Sequence, residues 1–417
     1  MGHPTEAPST IRGMLRNGRT AAAIFCAGLF LIYGVIFYQL RNSLAEGYSD
    51  FISFYTAGKI LERGAAPRLY DLRMQYEIQR EIAPRVEMRQ GALPFVRPAF
   101  EAWLFWPLAF LPYSTAFVVW NLVSTACAVG ALLVLRWEIP GLVEIPLWLA
   151  LAAGLSYFPL FFAVLQGQDS LVLLLLYALA WRALRREKWF ACGLILGIGV
   201  FKFPLILPML VAFALHRKWN AIVGFAVTCG IAAAISVATV GWAAAMEYPR
   251  YLLHIDLLAP GVNRVQDLPN LRGLLSMVPG MSGRIGLVVL AILSATTLAL
   301  ASWTWRFPAR ESIFALGFGL NVIATVLVSY HCHVFDLSLL LVPISAAAGF
   351  LLGDVTVPGK TRQVLPWTLC LMMFSPVYLW VTVSTARPSL VGLLVVGFGC
   401  VLGRVITQAR DFASDVG

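Results

Sequence analysis

Charge is scarce in this chain. Only 12% of its 417 residues are charged, about half the share of an ordinary soluble domain, while 59% are hydrophobic and the mean hydropathy is +0.79. That scarcity excludes a typical water-soluble protein and a charge-rich disordered chain. Cysteine is sparse as well. Six of the seven (Cys26, Cys127, Cys192, Cys229, Cys370 and Cys400) lie inside apolar runs, leaving only Cys332 on an outward segment. No disulfide framework fits that placement. Acidic residues are the minority sign, 21 against 31 basic, for a net charge of +10. There is no second soluble domain, no low-complexity tract and no internal period.

What is present is a series of apolar runs, at about 20–40, 113–135, 144–164, 171–184, 189–215, 219–241, 284–305, 312–329, 336–352, 364–383 and 390–406. A helical span needs about 20 apolar residues. The chain therefore reads as an all-α polytopic membrane protein, one integral-membrane domain over 1–417, with about 10–12 transmembrane helices. The shorter, Pro-bounded segment 98–112 suits a re-entrant or interfacial position. The first run reads as an uncleaved span rather than a secretory signal. Basic residues gather at alternate ends: Arg12, Arg16 and Arg19; Arg136; Arg182, Arg185, Arg186 and Lys188; Arg217 and Lys218; Arg306 and Arg310; Lys360 and Arg362; Arg404 and Arg410. The positive-inside rule makes those ends, and the N-terminus, cytoplasmic. Segment 189–215 is basic at both ends and carries Lys202-Phe203-Pro204 at its middle. Proline breaks a helix there, so this segment is expected to enter and leave on one side as a re-entrant hairpin. The long outward loops are then 41–111 and 242–283. The first holds nine basic residues, among them Arg89, an outward basic rim suited to anionic headgroups or a phosphate-bearing lipid.

Candidate chemistry concentrates on that outward side. Residues 50–62 are amphipathic, with Phe51, Phe54, Tyr55 and Leu61 at helical spacing, and predict an interfacial helix. Asp50 opens it. One reading of Asp50 is a plain helix cap, kept ionised by the dipole; the other is a catalytic carboxylate at the lipid–water boundary, and the two are compatible. Gln166-Gly-Gln168-Asp169-Ser170 forms a tight turn between spans. His331 and His333 lie two apart near Asp336, and share a face only in extended chain; third and fourth ligands for a zinc ion are not evident. The 242–283 loop mixes aromatics, amides and charges, including Trp242, Tyr248, Tyr251, His254, Asp256, Asn263, Asp267, Asn270 and Arg272, a set that suits sugar binding or any interfacial loop. Lys202 is the one basic residue deep in an apolar run. It either snorkels to a headgroup or meets a partner or a phosphate.

Several stretches then resemble a known family. They are Tyr48-Ser-Asp50-Phe-Ile-Ser-Phe-Tyr55-Thr-Ala57-Gly58, Leu69-Tyr70-Asp71, Phe105-Trp-Pro107-Leu-Ala-Phe-Leu-Pro112, Gly167-Gln168, Gly193-Leu-Ile-Leu-Gly197 with Phe201-Lys202, Pro269-Asn270-Leu271-Arg272-Gly273, and His333-Val-Phe-Asp336. In order and spacing they are similar to the bacterial polyprenyl-phosphate-mannose-dependent mannosyltransferases, the GT-C type glycosyltransferases of family 87, over roughly residues 45–345. The chain departs from that pattern at three places. Val96-Arg97-Pro98 stands where Tyr-Pro-Pro is frequent, Lys202-Phe203-Pro204 where Lys-Pro is, and Asp169 where Asn often follows the Gly-Gln pair.

The resemblance implies a GT-C-like enzyme of the bacterial plasma membrane, working on its extracytoplasmic face. It would move a sugar, mannose first, from a polyprenyl-phosphate donor to a glycolipid, glycan or protein acceptor. Asp50 matches the general base, and His333 a second catalytic contributor. An inverting displacement needs one carboxylate for the acceptor's proton and cationic or N–H donors for the departing phosphate. Lys202, Arg97 and Arg272 are the candidates, with Tyr55, Gln168, Asp169, Asn270, His331 and Asp336 completing the expected substrate-binding set. No metal, no cofactor and no nucleic-acid partner is expected; membrane lipid is. Two other readings are a flippase or transporter of a lipid-linked sugar and a scaffold that tolerates loss of Asp50. A transporter should show internal repeats and broken midplane helices, and only 189–215 looks broken.

Overall fold

The computed structural model describes residues 9–86, 91–258, 264–281, 283–305, 311–353 and 360–415. Arg89, Asn263, Arg306 and Arg310 lie outside the described residues, as do the side chains of Arg12, Arg16, Asp256, Lys360 and Arg362.

The described chain is helical and spans the membrane many times. It begins with α1 (Ser9–Ala45), followed by three short helices of the first loop, α2 (Phe51–Glu62), α3 (Leu72–Ile82) and α4 (Ala102–Phe105). The bundle continues with α5 (Tyr113–Glu138), α6 (Leu147–Leu155), α7 (Phe158–Gln166), α8 (Ser170–Arg185), α9 (Trp189–Ile198), α10 (Leu207–Leu215) and α11 (Trp219–Val240). The second loop holds α12 (Trp242–Leu258) and α13 (Leu271–Ser276). The last helices are α14 (Gly283–Thr304), α15 (Glu311–Val328), α16 (Leu341–Leu352), α17 (Lys360–Met373), α18 (Ser375–Ser384) and α19 (Val391–Asp415). Among the described residues seven helices are long and apolar enough to cross a bilayer, and up to ten if each of three bent pairs counts as one span. The pairs are α6–α7, bent 61°, Trp189–Leu205 with α10, bent 114°, and α17–α18, bent 50°.

Burial sorts these spans. Only 17% of the best apolar window is buried in α1, α11 and α14, against 78% in α15 and 83% in Val334–Leu352. Leu31, Ile231 and Ile285 point outward from the first group. In lipid an apolar face has no reason to hide, so these are the bilayer-facing helices. The inner group packs with α8, eleven of whose sixteen residues are buried.

Helices α9 and α11 approach closely through glycine. A Cβ on Gly193 would run into the carbonyl oxygen of Ala221, and one on Gly224 into that of Phe190. Backbone-to-backbone packing of this kind is how helices hold together where lipid competes for side-chain contacts.

Helix α8 has charge at each end. Its C-terminal Arg182, Arg185 and Arg186 converge on Glu138 at the end of α5, at 3.1, 3.2 and 3.0 Å, and Arg185 also pairs with Glu311 at the start of α15. Its N-terminus carries Asp169 and Ser170 into the candidate site described below.

Two expectations change. The amphipathic pattern of 50–62 predicts one exposed face, but ten of the twelve residues of α2 are buried, because α3, α4 and the turn Pro107–Phe110 cover it. The basic rim is also largely neutralised. Lys59, Arg63, Arg68, Arg73 and Arg85 pair with Glu62, Glu81, Asp71, Glu77 and Glu46.

Gly193→Leu is expected to force α9 from α11 and cost about 3 kcal/mol. Thermal unfolding of the purified protein in detergent would read this, and an unchanged midpoint would exclude the close packing.

Candidate active site

Asp50 sits at the first residue before α2 with φ −60° and ψ −19°, and its side chain makes no cap hydrogen bond. The capping role therefore fails for the carboxylate. Its Oδ2 instead accepts from Gln168 Nε2 at 2.8 Å, while the Asp50 backbone N–H donates to Gln166 Oε1 at 3.2 Å. Two glutamines from one turn thus hold this residue by side chain and by backbone. Between them Gly167 adopts φ +63°, where a Cβ would press on Phe51 Cβ at 2.7 Å. Only glycine is comfortable there. The Trp120 indole N–H donates to the Gly167 carbonyl at 2.9 Å and fixes the turn. Burial raises the Asp50 carboxyl above its ordinary range; the Gln168 hydrogen bond, His333, Lys202 and Arg97 pull the other way without cancelling it.

Lys202 lies in the 3-10 turn Gly199–Leu205 at a break in helical geometry, φ −114° and ψ 53°, two residues before Pro204. Its side chain is 3% exposed. The ammonium does not snorkel. It donates at 2.6 Å to both Ser170 Oγ and Asp336 Oδ1, and lies 2.6 Å from Asp169 Oδ1. Ser170 Oγ in turn donates to Asp336 Oδ1 at 2.8 Å. Arg97 approaches Asp169 from the other side, with Nη2 3.3 Å from Oδ1 and Nε 3.0 Å from Oδ2. Two of the departures from the family pattern, Arg97 and Asp169, are therefore each other's partner. Burial alone would raise the Asp169 carboxyl; Arg97 and Lys202 outweigh it and hold the group below the ordinary range.

The wall that presents Arg97 is an extended strip, 93–97, whose backbone is satisfied by side chains. Gln79 accepts from the Leu93 N–H and donates to the Leu93 carbonyl, at 2.9 and 2.8 Å. Gln75 accepts from the Phe95 N–H at 2.9 Å, and Ser53 donates to the Pro94 carbonyl at 3.0 Å. Three phenols finish the set: Tyr251 on Phe95, Tyr248 on Val96 and Tyr70 on Arg97, at 3.3, 3.1 and 3.1 Å. Non-helical backbone near a membrane needs such partners. Helices α3 and α12, from two different loops, supply most of them.

The strip, the Asp50 turn and the Lys202 turn enclose a cavity of about 630 Å³. Asp50, Arg97, Gln168, Lys202, His331, His333 and Asp336 all line it, while Asp169 stands behind Arg97 and Lys202. The two imidazoles meet edge to face with centroids 4.6 Å apart. The His333 backbone N–H donates to Asp336 Oδ2 at 2.9 Å. Burial lowers both imidazole pKa values, His331 well below the ordinary value, so both are neutral hydrogen-bonding groups at pH 7. Among the described residues no three His, Cys, Asp or Glu side chains group as a metal site would need.

Besides Asp169, three expected substrate-binding residues are not on this wall. Tyr55 points into the core and donates to the Leu111 carbonyl at 2.6 Å. Asn270 caps α13, accepting from the Gly273 N–H at 2.9 Å and donating to the Ser329 carbonyl at 2.7 Å. Arg272 lies over the Tyr330 ring, donates to the Tyr330 carbonyl at 3.2 Å and borders a separate, smaller hollow against α14. Sequence reasoning named Gln166 only as part of a turn and Tyr248 and Tyr251 only as loop residues suited to sugar binding, and it missed Gln75, Gln79 and Glu101, the last buried 3.8 Å from Arg97. The spacing Arg97 to Glu101, four residues, was the available signal for the last.

A helical membrane bundle with carboxylates, cations and two imidazoles around one cavity defines a membrane protein with an enzyme-like site. The sequence profile of glycosyltransferase family 87 matches residues 95–329, and the chain belongs to that family. Two curated relatives are similar to it. Both are named polyprenol-phosphate-mannose-dependent alpha-(1-2)-phosphatidylinositol pentamannoside mannosyltransferase. The protein from Mycobacterium tuberculosis is 29% identical over 51% of this chain and 49% of its own length. That from Mycolicibacterium smegmatis is 29% identical over 51% of each. The chain thus spans about half the length of the curated relatives it matches. No solved structure matches it.

Lys202→Met leaves Asp169 and Asp336 buried without their shared cation. Breaking a buried ion pair from one side costs about 3–5 kcal/mol. A melting point in detergent equal to wild type would show that the two carboxylates do not depend on Lys202.

Proposed function

We propose that this protein transfers a mannosyl group from a polyprenyl-phosphate donor to a hydroxyl of a glycolipid acceptor by a single inverting displacement. The observation that carries the reading is Asp50, held by Gln168 at the wall of a cavity that also presents Lys202, Arg97 and two neutral histidines. The activity for which both relatives are named supports the donor and acceptor classes.

The acceptor oxygen attacks the anomeric carbon as the bond from that carbon to the phosphate oxygen breaks. Asp50 Oδ1 takes the acceptor's proton, and Gln168 keeps Oδ2 in place. A carboxyl with a raised pKa is a stronger base when ionised, which suits this task. The electron pair leaves on the phosphate. Arg97 and Lys202 offset Asp169 and Asp336 on that side, so that the phosphate meets a wall without net negative charge, and His331 and His333 offer N–H donors without adding charge. The donor's prenyl chain rests among lipid-facing helices.

In this reading the N-terminus and the Glu138 arginine cluster are cytoplasmic and the cavity opens at the extracytoplasmic face of a bacterial plasma membrane. The loops 41–111 and 242–283 form its rim, and the 114° bend within 189–215 is a re-entrant hairpin that delivers Lys202.

The test is transfer of labelled mannose from polyprenyl-phosphate-mannose to a glycolipid extract by purified protein. Asp50→Asn is expected to lower kcat by about 10²–10⁴ with the fold kept. In wild type, kcat/KM falls on acidification through the Asp50 pKa, so the acid limb lies above the ordinary Asp value of about 4. A folded Asp50→Asn protein with full activity would eliminate Asp50 as the base.

A further inference from the structure

Behind the cavity wall, two cations face three carboxyl groups: Arg97 and Lys202 against Asp169, Asp336 and Glu101. Glu101 is the odd one. It is 3% exposed, and among the described residues neither of its oxygens has a hydrogen-bond partner. Asp169 Oδ2 also makes no hydrogen bond, although Arg97 Nε lies 3.0 Å from it as an ion-pair partner. Ionised, these would be two acceptor-only groups side by side in a dry interior, which is costly. One proton between them satisfies both.

We infer that Glu101 stands protonated under the cavity wall and donates its O–H to Asp169 Oδ2, as a positioning residue that keeps Asp169 seated on Arg97 and Lys202. Its surroundings agree. Burial and Asp169 push the Glu101 carboxyl well above its ordinary range, against the opposing pull of Arg97 and Lys202. The other ionisable groups facing it are the phenols of Tyr70 and Tyr248. Helix α11, packed on the 3-10 turn Ala99–Glu101, has no charged residue, and in α2 Lys59 and Glu62 pair with each other.

The functional consequence rests on the proposed phosphate-bearing donor. With Glu101 neutral the cluster balances, two positive against two negative. An ionised Glu101 adds a negative charge behind the wall that receives an anionic phosphate, and it repels Asp169 from its cations. Donor binding therefore weakens as pH rises through the Glu101 pKa.

Infrared spectroscopy of the purified full chain tests the proton directly. A carbonyl band of a buried protonated carboxylic acid is expected in wild type and lost in Glu101→Gln. Kinetics test the role. Glu101→Ala is expected to raise the KM for polyprenyl-phosphate-mannose about ten-fold, the worth of one hydrogen bond to a charged group. Glu101→Gln, which can donate to Asp169 as the acid does, recovers most of that loss. It also removes the alkaline rise in donor KM that wild type shows. A band unchanged in Glu101→Gln, a Gln variant as impaired as Ala, or an alkaline rise that persists in the Gln variant would each overturn the inference. If wild type transfers no mannose, the proposed function fails, while the infrared measurement still decides the state of Glu101.

Discussion

An ammonium group with almost no access to water sits where three parts of the chain meet. Lys202 comes from the broken turn before α10, Asp169 and Ser170 from the start of α8, and Asp336 from the turn that leads into α16. An isolated charge at such depth is prohibitive, so the three segments are held to one geometry or the site does not form. The constraint spreads outward from there. Asp336 fixes the His333 backbone, and Asp169 fixes Arg97. Gln168, one residue before Asp169, holds Asp50. Arg97 and His333 are thus two contacts from Lys202, and Asp50 and His331 one step further.

The rest of the bundle divides its work around that point. Helices with few buried residues meet lipid, and helices with many carry the polar cluster. The first and second loops serve as scaffolding: their glutamines and tyrosines hold the strip 93–97, so that Arg97 is aimed by backbone hydrogen bonds rather than by its own packing. The outward arginines are mostly tied to local carboxylates, as Arg97 and Lys202 are to Asp169 and Asp336, so charge around the cavity is largely paired.

The spans were legible because a bilayer imposes a length and a composition that any sequence must display. Lys202 was legible for the same reason, as the one basic residue deep in an apolar run. Its partners were not, because Asp336 lies 134 residues away and nothing local links them. Asp50 stood out by position, yet its restraint by Gln168 spans 118 residues and could not be read. Tyr55 and Asn270 matched expected residue types but serve packing and a helix cap. Polar character says that a side chain needs a partner, and leaves open whether that partner is a substrate or a carbonyl. The rim was misjudged by counting one sign. Arg68 with Asp71 and Arg73 with Glu77 sit at helical spacing and were visible as pairs; Arg63 with Glu81 and Arg85 with Glu46 needed the fold.

Helix α8 is anchored by charge at both ends, to Glu138 at one and to Lys202 at the other. Its sixteen residues rise about 24 Å, less than the roughly 30 Å of a hydrocarbon core. With the arginines at one boundary, the floor of the cavity lies several ångströms below the opposite one. In the proposed reaction a sugar would descend past the level of the headgroups to reach that floor. In that reaction a donor stopping the mouth of the cavity would shield its own glycosyl bond from hydrolysis until an acceptor hydroxyl took water's place.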